Sequence, residues 1–191
     1  MQRHSVSLAI ISVSVLTTSP CTVFASGLVP QKRNTHSSIS ITADGIATTI
    51  QDGQVETTGI DESGLHALNG GTVSATNSQI VTHGDQAPGV AAESRGAVDI
   101  VRTSVQAYGD HADGLSASGA DSLIRSQSSQ ITTHGTQSAA ISARDGATIE
   151  LNDSDVTTLH SHGAAAIEAD ASTLVSRGTN VVAVDGQGIL A

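Results

Sequence analysis

Histidine is the side chain of this sequence that is best suited to chemistry, because imidazole binds metals and transfers protons near neutral pH. Among the eight histidines of the chain, His83 and His134 flank Tyr108 at intervals of 25 and 26 residues. If those intervals are the turns of a stacked repeat, the three rings lie about 4.8 Å apart along it. Two histidines that flank a tyrosine do not have the spacing of metal ligands. We therefore interpret the three residues as a ladder of stacked polar groups on the surface.

Two other groups of side chains could hold a metal. His160 and His162 are two residues apart, and acidic side chains fall in predicted turns. No loop has the spacing of an EF-hand, so solvated charge is the simpler interpretation. The sequence predicts neither a metal nor a cofactor. The acidic residues are Asp110, Asp113, Asp153 and Asp155.

A nucleophilic serine is the remaining candidate for catalysis. Ala120-Asp121-Ser122-Leu123 resembles the Gly-Asp-Ser-Leu motif of some autotransporter esterases. The motif has alanine in place of glycine, and no Asp-x-x-His follows it. A nucleophile elbow of the form Gly-x-Ser-x-Gly does not occur either. We expect no enzymatic activity. The alternative is a β-helix lyase or hydrolase acting on polysaccharide, with its site outside this chain or in a cleft that the sequence does not reveal.

Composition limits how such residues can be positioned. The chain has 191 residues, a formal charge of −10 and only 1% aromatic residues. Its negative charge disfavours binding to nucleic acid. A core without aromatic side chains must be built from aliphatic residues in a regular arrangement.

The first residues have the features of a secretory signal peptide. Arg3 precedes an apolar run that is shorter than a membrane span, and Val23-Phe24-Ala25 provides small residues at the cleavage site. We predict a cleavable signal over residues 1–25, with cleavage between Ala25 and Ser26. Cleavage removes Cys21, the only cysteine. Residues 26–38 are then a linker or an N-terminal cap.

The rest of the chain, residues 39–191, is a repeat of about 25 residues. Short runs of alternating polarity, separated by glycine, asparagine and aspartate, predict three strands and three turns per repeat. The fold class is therefore all-β: a right-handed parallel β-helix of about six coils. Thr103 and Gln130 are predicted to lie outside the inward ladders and to tolerate substitution. The first ladder contains Val55, Ile80, Val105, Ile131, Val156 and Val181; the second Ile41, Leu65, Val90, Leu115, Ile141 and Ile167; the third Val73, Val98, Leu123, Ile149 and Leu174.

The repeats Asp145-Gly146-Ala147-Thr148-Ile149 and Ala164-Ala165-Ala166-Ile167, with the signal peptide and the cysteine-free remainder, resemble pertactin-like autotransporter passengers. The resemblance runs from about Ile39 to the C-terminus. It implies a Gram-negative exported rod with a structural or adhesin-like role in virulence, at the cell surface, in the outer membrane or secreted. Its implied partners are further C-terminal coils, an outer-membrane β-barrel, and a host surface protein or glycan. Arg144-Asp145-Gly146 is not the Arg-Gly-Asp tripeptide, so integrin-type adhesion is not implied.

The last residues restart the second ladder at Ile189, 22 residues after Ile167. A solenoid needs a polar cap over its exposed end strands, and none follows Ile189. We therefore expect the sequence to be part of a longer protein.

Overall fold

The computed structural model describes residues 39–160 and 162–190. Within these ranges the chain forms nineteen β-strands and no helix. Each strand has four to six residues, and side chains in most strands alternate between buried and more exposed. The strands are β1 (Ile41–Asp44), β2 (Ala47–Gln51), β3 (Gln54–Thr57), β4 (Leu65–Leu68), β5 (Thr72–Thr76), β6 (Gln79–Thr82), β7 (Val90–Glu93), β8 (Ala97–Val101), β9 (Ser104–Ala107), β10 (Leu115–Ser118), β11 (Leu123–Gln127), β12 (Gln130–Thr133), β13 (Ile141–Arg144), β14 (Thr148–Asn152), β15 (Asp155–Thr158), β16 (Ala165–Asp170), β17 (Thr173–Arg177), β18 (Asn180–Ala183) and β19 (Gln187–Leu190).

Three parallel sheets form the walls of a solenoid. The first sheet contains β1, β4, β7, β10, β13, β16 and β19, in that order. The second sheet runs from β2 to β17 and the third from β3 to β18, each in steps of three strands. Successive strands of the chain therefore belong to different sheets, and each strand pairs with strands one coil away. This confirms the predicted parallel β-solenoid of about six coils with three strands per coil. Its right-handedness stays a prediction.

The first two predicted ladders are confirmed by the register of the strands. Val105 pairs with Ile80 on one side and Ile131 on the other, and Leu115 pairs with Val90 and Ile141. All six of these side chains are fully buried. Each contributes roughly 1.5–3 kcal/mol through burial of its apolar surface, so stacked aliphatic residues make a core without aromatic rings.

The third predicted ladder is wrong at one position. Ile124, not Leu123, pairs with Val98 and Ile149 and is fully buried. The turn between β10 and β11 has four residues, whereas the matching turn between β7 and β8 has three. That extra residue shifts the inward position by one, and a shift of one residue turns a strand side chain to the opposite face. Leu123 is consequently half-buried beside Ala97 and Thr148.

A second correction concerns Thr103, which is 1% exposed and lies inside the solenoid. Its hydroxyl donates to the carbonyl of Val101 at 3.0 Å, and its backbone N–H donates to the hydroxyl of Ser129 at 3.1 Å. Ser78 and Ser154 occupy the equivalent place in neighbouring coils and are also buried. The turn between the second and third sheets is thus held by a buried hydroxyl row, which satisfies backbone groups that would otherwise be unpaired. Gln130 is exposed, as predicted.

Longer turns join the third sheet to the first, and we name residues 58–64, 83–89, 108–114 and 134–140 the long corners. A glycine is the second residue of each long corner. A Cβ atom at Gly109 would lie 1.9 Å from the carbonyl oxygen of Gly84, so only glycine allows adjacent coils to approach this closely. The long corners therefore stack tightly, and they bring their side chains into rows along the solenoid.

Candidate functional site

The predicted signal peptide, with its cleavage site between Ala25 and Ser26, lies outside the described residues. The part of the chain that the structure describes has no helix that is long and apolar enough to span a membrane. The other residues proposed from the sequence can be placed on the fold.

His83, Tyr108 and His134 are the first residues of three successive long corners, and their rings stack on one another. The ring centroids of His83 and Tyr108 are 5.1 Å apart, and those of Tyr108 and His134 are 4.1 Å apart. The two pairs of ring planes are inclined by 17° and 10°. The backbone N–H groups of Tyr108 and His134 donate to Thr82 and Ala107 of the preceding coil. The predicted surface ladder thus exists and follows from the register of the coils.

Polar contacts hold the edges of this aromatic ladder. The Nε2 atom of His83 lies 3.2 Å from Glu56 Oε1, and the Tyr108 hydroxyl lies 3.1 Å from Gln106 Oε1. Burial, with a smaller effect from His160, lowers the pKa of His134. Across residues 39–160 and 162–190, no three histidine, cysteine or acidic side chains are arranged to hold a metal ion. The three rings therefore form a stack on the surface of the solenoid.

Ser122 of the esterase-like motif is inside a turn. It is 1% exposed, and its hydroxyl accepts a hydrogen bond from the backbone N–H of Arg95 at 3.1 Å. A nucleophilic serine must be accessible to its substrate and paired with a base, and the burial of Ser122 does not fit the first requirement. The contribution of Ser122 is to hold this turn to the turn of the preceding coil.

Asp110 also supports a turn. Its Oδ1 atom accepts a hydrogen bond from the Thr136 N–H at 2.9 Å, and this bond lowers the pKa of its carboxyl group. The Asp110 N–H in turn donates to Asp85 Oδ1 at 3.0 Å. Stacked aspartates thus cap the backbone of the next coil. Asp153 stands at a turn with a positive φ of 48°, and Asp155 is exposed on β15.

Asp113 lies in a different setting, a groove that the sequence did not predict. The long corners fold against the outer face of the first sheet and leave a polar groove of about 400 Å³ between them. We name it the corner groove. It is lined by Asp61, Ser63, Gln86, Pro88, His111 and Asp113 of the corners, and by His66, Glu93, Ser116 and Arg144 of the sheet.

Charged groups are arranged along both sides of the corner groove. His66 Nε2 lies 3.6 Å from Glu93 Oε2. Arg144 Nη2 lies 3.3 Å from Glu168 Oε2 on the neighbouring strand. The Asp113 Oδ1 atom accepts a hydrogen bond from the Ala139 N–H at 2.9 Å. The groove therefore presents carboxylates, imidazoles and a guanidinium within three to four coils.

Burial raises the pKa of Asp113 from its ordinary value of 3.8 to about 6, against the opposing effects of the Ala139 N–H and the Arg144 charge. The equivalent corner residues in the neighbouring coils are Ser63, Pro88 and Ala139. Asp113 thus introduces a carboxyl group where neighbouring coils have uncharged residues. Such a departure from the repeat is typical of functional positions.

Sequence reasoning missed this groove because its residues are separated in the chain by about one coil each. The sequence favours solvated charge at Asp113 over a metal site and does not single out His66. One signal was available: the neighbours of His66 in its row, Thr42 and Ala91, are both smaller and uncharged. No family model, curated protein or solved structure matches this chain.

Proposed function

We propose that this chain is part of an exported autotransporter passenger: a structural, adhesin-like rod without enzymatic activity, at the surface of a Gram-negative cell. The observation that carries the proposal is the regularity of the coils. Within the described residues, the longest connections between successive strands have seven residues, as between Thr57 and Leu65. β-helix enzymes build substrate clefts from longer insertions, whereas a rod needs only its repeating coils.

The surface of the solenoid supports the same proposal. The aromatic ladder and the corner groove each run across several coils, so a partner could contact residues that are remote in sequence. Solenoids commonly bind along such extended surfaces. The proposed partners are further coils and an outer-membrane β-barrel of the same longer protein, and a host surface protein or glycan.

Surface exposure can be tested in intact Gram-negative cells that express the natural gene. An antibody against the solenoid should label unpermeabilised cells, and added protease should remove that labelling. The N-terminal sequence of the exposed form should begin at Ser26. A matched Ala25→Arg variant, which disrupts the small-residue cleavage pattern, should block processing. Labelling only after permeabilisation, with Met1 retained, would overturn the proposal.

One observation favours a second candidate, a β-helix enzyme that acts on polysaccharide. The corner groove contains Asp113, whose pKa of about 6 suits a general acid, and Glu93 as a second carboxylate. The purified protein would be incubated with polysaccharides, and newly formed reducing ends would be measured. The rod proposal expects none. Cleavage that disappears in Asp113→Asn would support the enzyme instead.

A further inference from the structure

We propose that the corner groove binds a neutral, hydroxyl-rich ligand, a short oligosaccharide that lies along the axis of the solenoid. This inference names a ligand class for the proposed adhesin-like rod, and its biological role rests on that proposed function. The binding itself is a property of the groove and can be measured on the purified protein.

The shape of the groove follows from the register of the first sheet. Its floor is the outer face of this sheet, from His66 on β4 to Arg144 on β13, strands that are joined through β7 and β10. Ser116 on β10 is small and leaves space between the walls. Strand spacing of about 4.8 Å makes the floor roughly 14 Å long. A trough of this length and of about 400 Å³ suits a chain of two or three sugar rings.

The backbone of the groove excludes an extended peptide as the favoured occupant. A peptide that adds a strand needs an unpaired sheet edge. The floor strands β7 and β10 already pair with a strand on each side, so their backbone groups are occupied. Only side chains remain to bind a ligand, and the ligand must therefore carry its own donors and acceptors along both of its edges.

The side chains of the groove can bind hydroxyl groups and disfavour an anionic ligand. Asp61, Glu93 and Asp113 supply acceptors, while Gln86 and Ser116 can donate. The guanidinium of Arg144 already pairs with Glu168, so acidic groups predominate and an anionic ligand is disfavoured. No phenylalanine, tyrosine or tryptophan lines the groove, and binding must depend mainly on hydrogen bonds.

One polar atom of the groove has no hydrogen-bond partner. His66 Nε2 is shielded from solvent and makes no hydrogen bond in the described structure, and its nearest carboxylate oxygen, Glu93 Oε2, is 3.6 Å away. A shielded, unsatisfied polar atom is unfavourable. The rest of the His66 side chain is partly exposed, so a rotation of its ring would bring Nε2 to the groove, where a ligand hydroxyl could bond to it and relieve this deficit.

Nuclear magnetic resonance titration of the full chain tests the proposal with trisaccharides of three charge types. The neutral probes are maltotriose, cellotriose and tri-N-acetylchitotriose; the charged probes are trigalacturonate and triglucosamine. We expect at least one neutral probe to bind and to shift the amide signals of His66 and Ser116. Absence of neutral binding at millimolar concentrations, or binding of the charged probes alone, would overturn the proposal.

Two variants locate the binding. Ser116→Ile fills the floor of the groove. It should raise the dissociation constant of the neutral probe by about tenfold or more, a loss of about 1.4 kcal/mol of binding free energy. Ser74→Ile is the matched control, because Ser74 is a half-buried, outward-facing serine at the centre of β5 in the second sheet. Equal weakening by both variants, or by neither, would contradict the assignment. If Ser116→Ile does not fold, Asp113→Asn replaces it.

A negative result in this titration is distinguishable from a negative result in the cell-surface labelling experiment. Cell-surface labelling does not depend on the groove, so a surface-exposed rod that binds no trisaccharide would retain the proposed function and lose only this ligand. A protein that binds trisaccharides but stays inside the cell would retain the groove and lose the rod function.

Discussion

The rings of Tyr108 and His134 stack with their centroids 4.1 Å apart, although 26 positions separate the two residues in the chain. The contact exists because each residue directly follows a strand of the third sheet, β9 or β12, and these strands pair in register. His83 extends the stack in the other direction. Tyr108 therefore contacts a ring on each of its faces.

Tyr108→Ala should lower the free energy of unfolding by roughly 1–2 kcal/mol, because it removes two stacked contacts from one position. Thermal and urea denaturation would measure the change. Tyr108→His, which keeps an aromatic ring in the stack, is the matched control and should lose less than half as much. If both variants unfold alike, the rings do not contribute stability through stacking.

Ile124 and Leu123 provide a test of the register. Ile124→Ala removes a fully buried side chain between Val98 and Ile149 and should reduce stability by about 2–5 kcal/mol. Leu123→Ala alters a half-buried neighbour and should cost about 1 kcal/mol or less. Urea denaturation would measure the free energy of unfolding of both variants and show which residue faces inward. The reverse ranking would restore Leu123 to the inward ladder.

This pair also shows how far the sequence determines the fold. Two ladders, the number of strands per coil and the aromatic stack follow from the spacing of residues such as Val105 and Leu115. Leu123 and Ile124 are both aliphatic, so composition cannot tell which one faces inward. An additional residue in the preceding turn determines which of the two side chains faces inward. Turn length varies from coil to coil, and a search for one repeat period does not detect a change of one residue.

The candidate site was less predictable for a related reason. His66 and Asp113 are 47 positions apart and belong to a strand and a corner. Their approach depends on how the long corners fold back over the sheet, and the repeat alone does not specify this. The burial of Thr103 was not predictable from the sequence. A threonine in a turn can be solvated, or it can be buried with its hydroxyl bonded to the backbone.

Asp113 should make the protein less stable as the pH rises. Its pKa in the folded protein, about 6, is above its ordinary value of 3.8, so the folded state holds the proton more tightly than the unfolded state. Stability therefore declines between about pH 4 and 6, and the full penalty is present above pH 6. Asp113→Asn cannot ionise. At pH 7 it should be more stable than the parent by roughly 1–3 kcal/mol.

Urea denaturation of the parent and of Asp113→Asn at pH 4 and pH 7 would measure this difference. Asp155→Asn, at an exposed position on β15, controls for the loss of one negative charge. A stability gain that is the same at both pH values would contradict ionisation of Asp113 as its cause.

Val105→Asp should destabilise the solenoid by about 4 kcal/mol or more, because it places an unpaired charge between two coils. Gln130→Asp is the control, since Gln130 is exposed at the start of β12. Circular dichroism during thermal unfolding would compare the two. Similar melting temperatures would contradict the inward orientation of Val105.

The nearly constant offset between paired strands, 22 to 26 residues, has a consequence for folding kinetics. Val55 pairs with a residue 25 positions later, and Val156 does the same near the other end of the solenoid. The sequence separation of the paired strands therefore does not grow with the number of coils. The loop that must close to add a coil has nearly the same length each time, and its entropic penalty changes little. A lengthening rod of this kind acquires structure at a steady rate per coil, by growth from a nucleus.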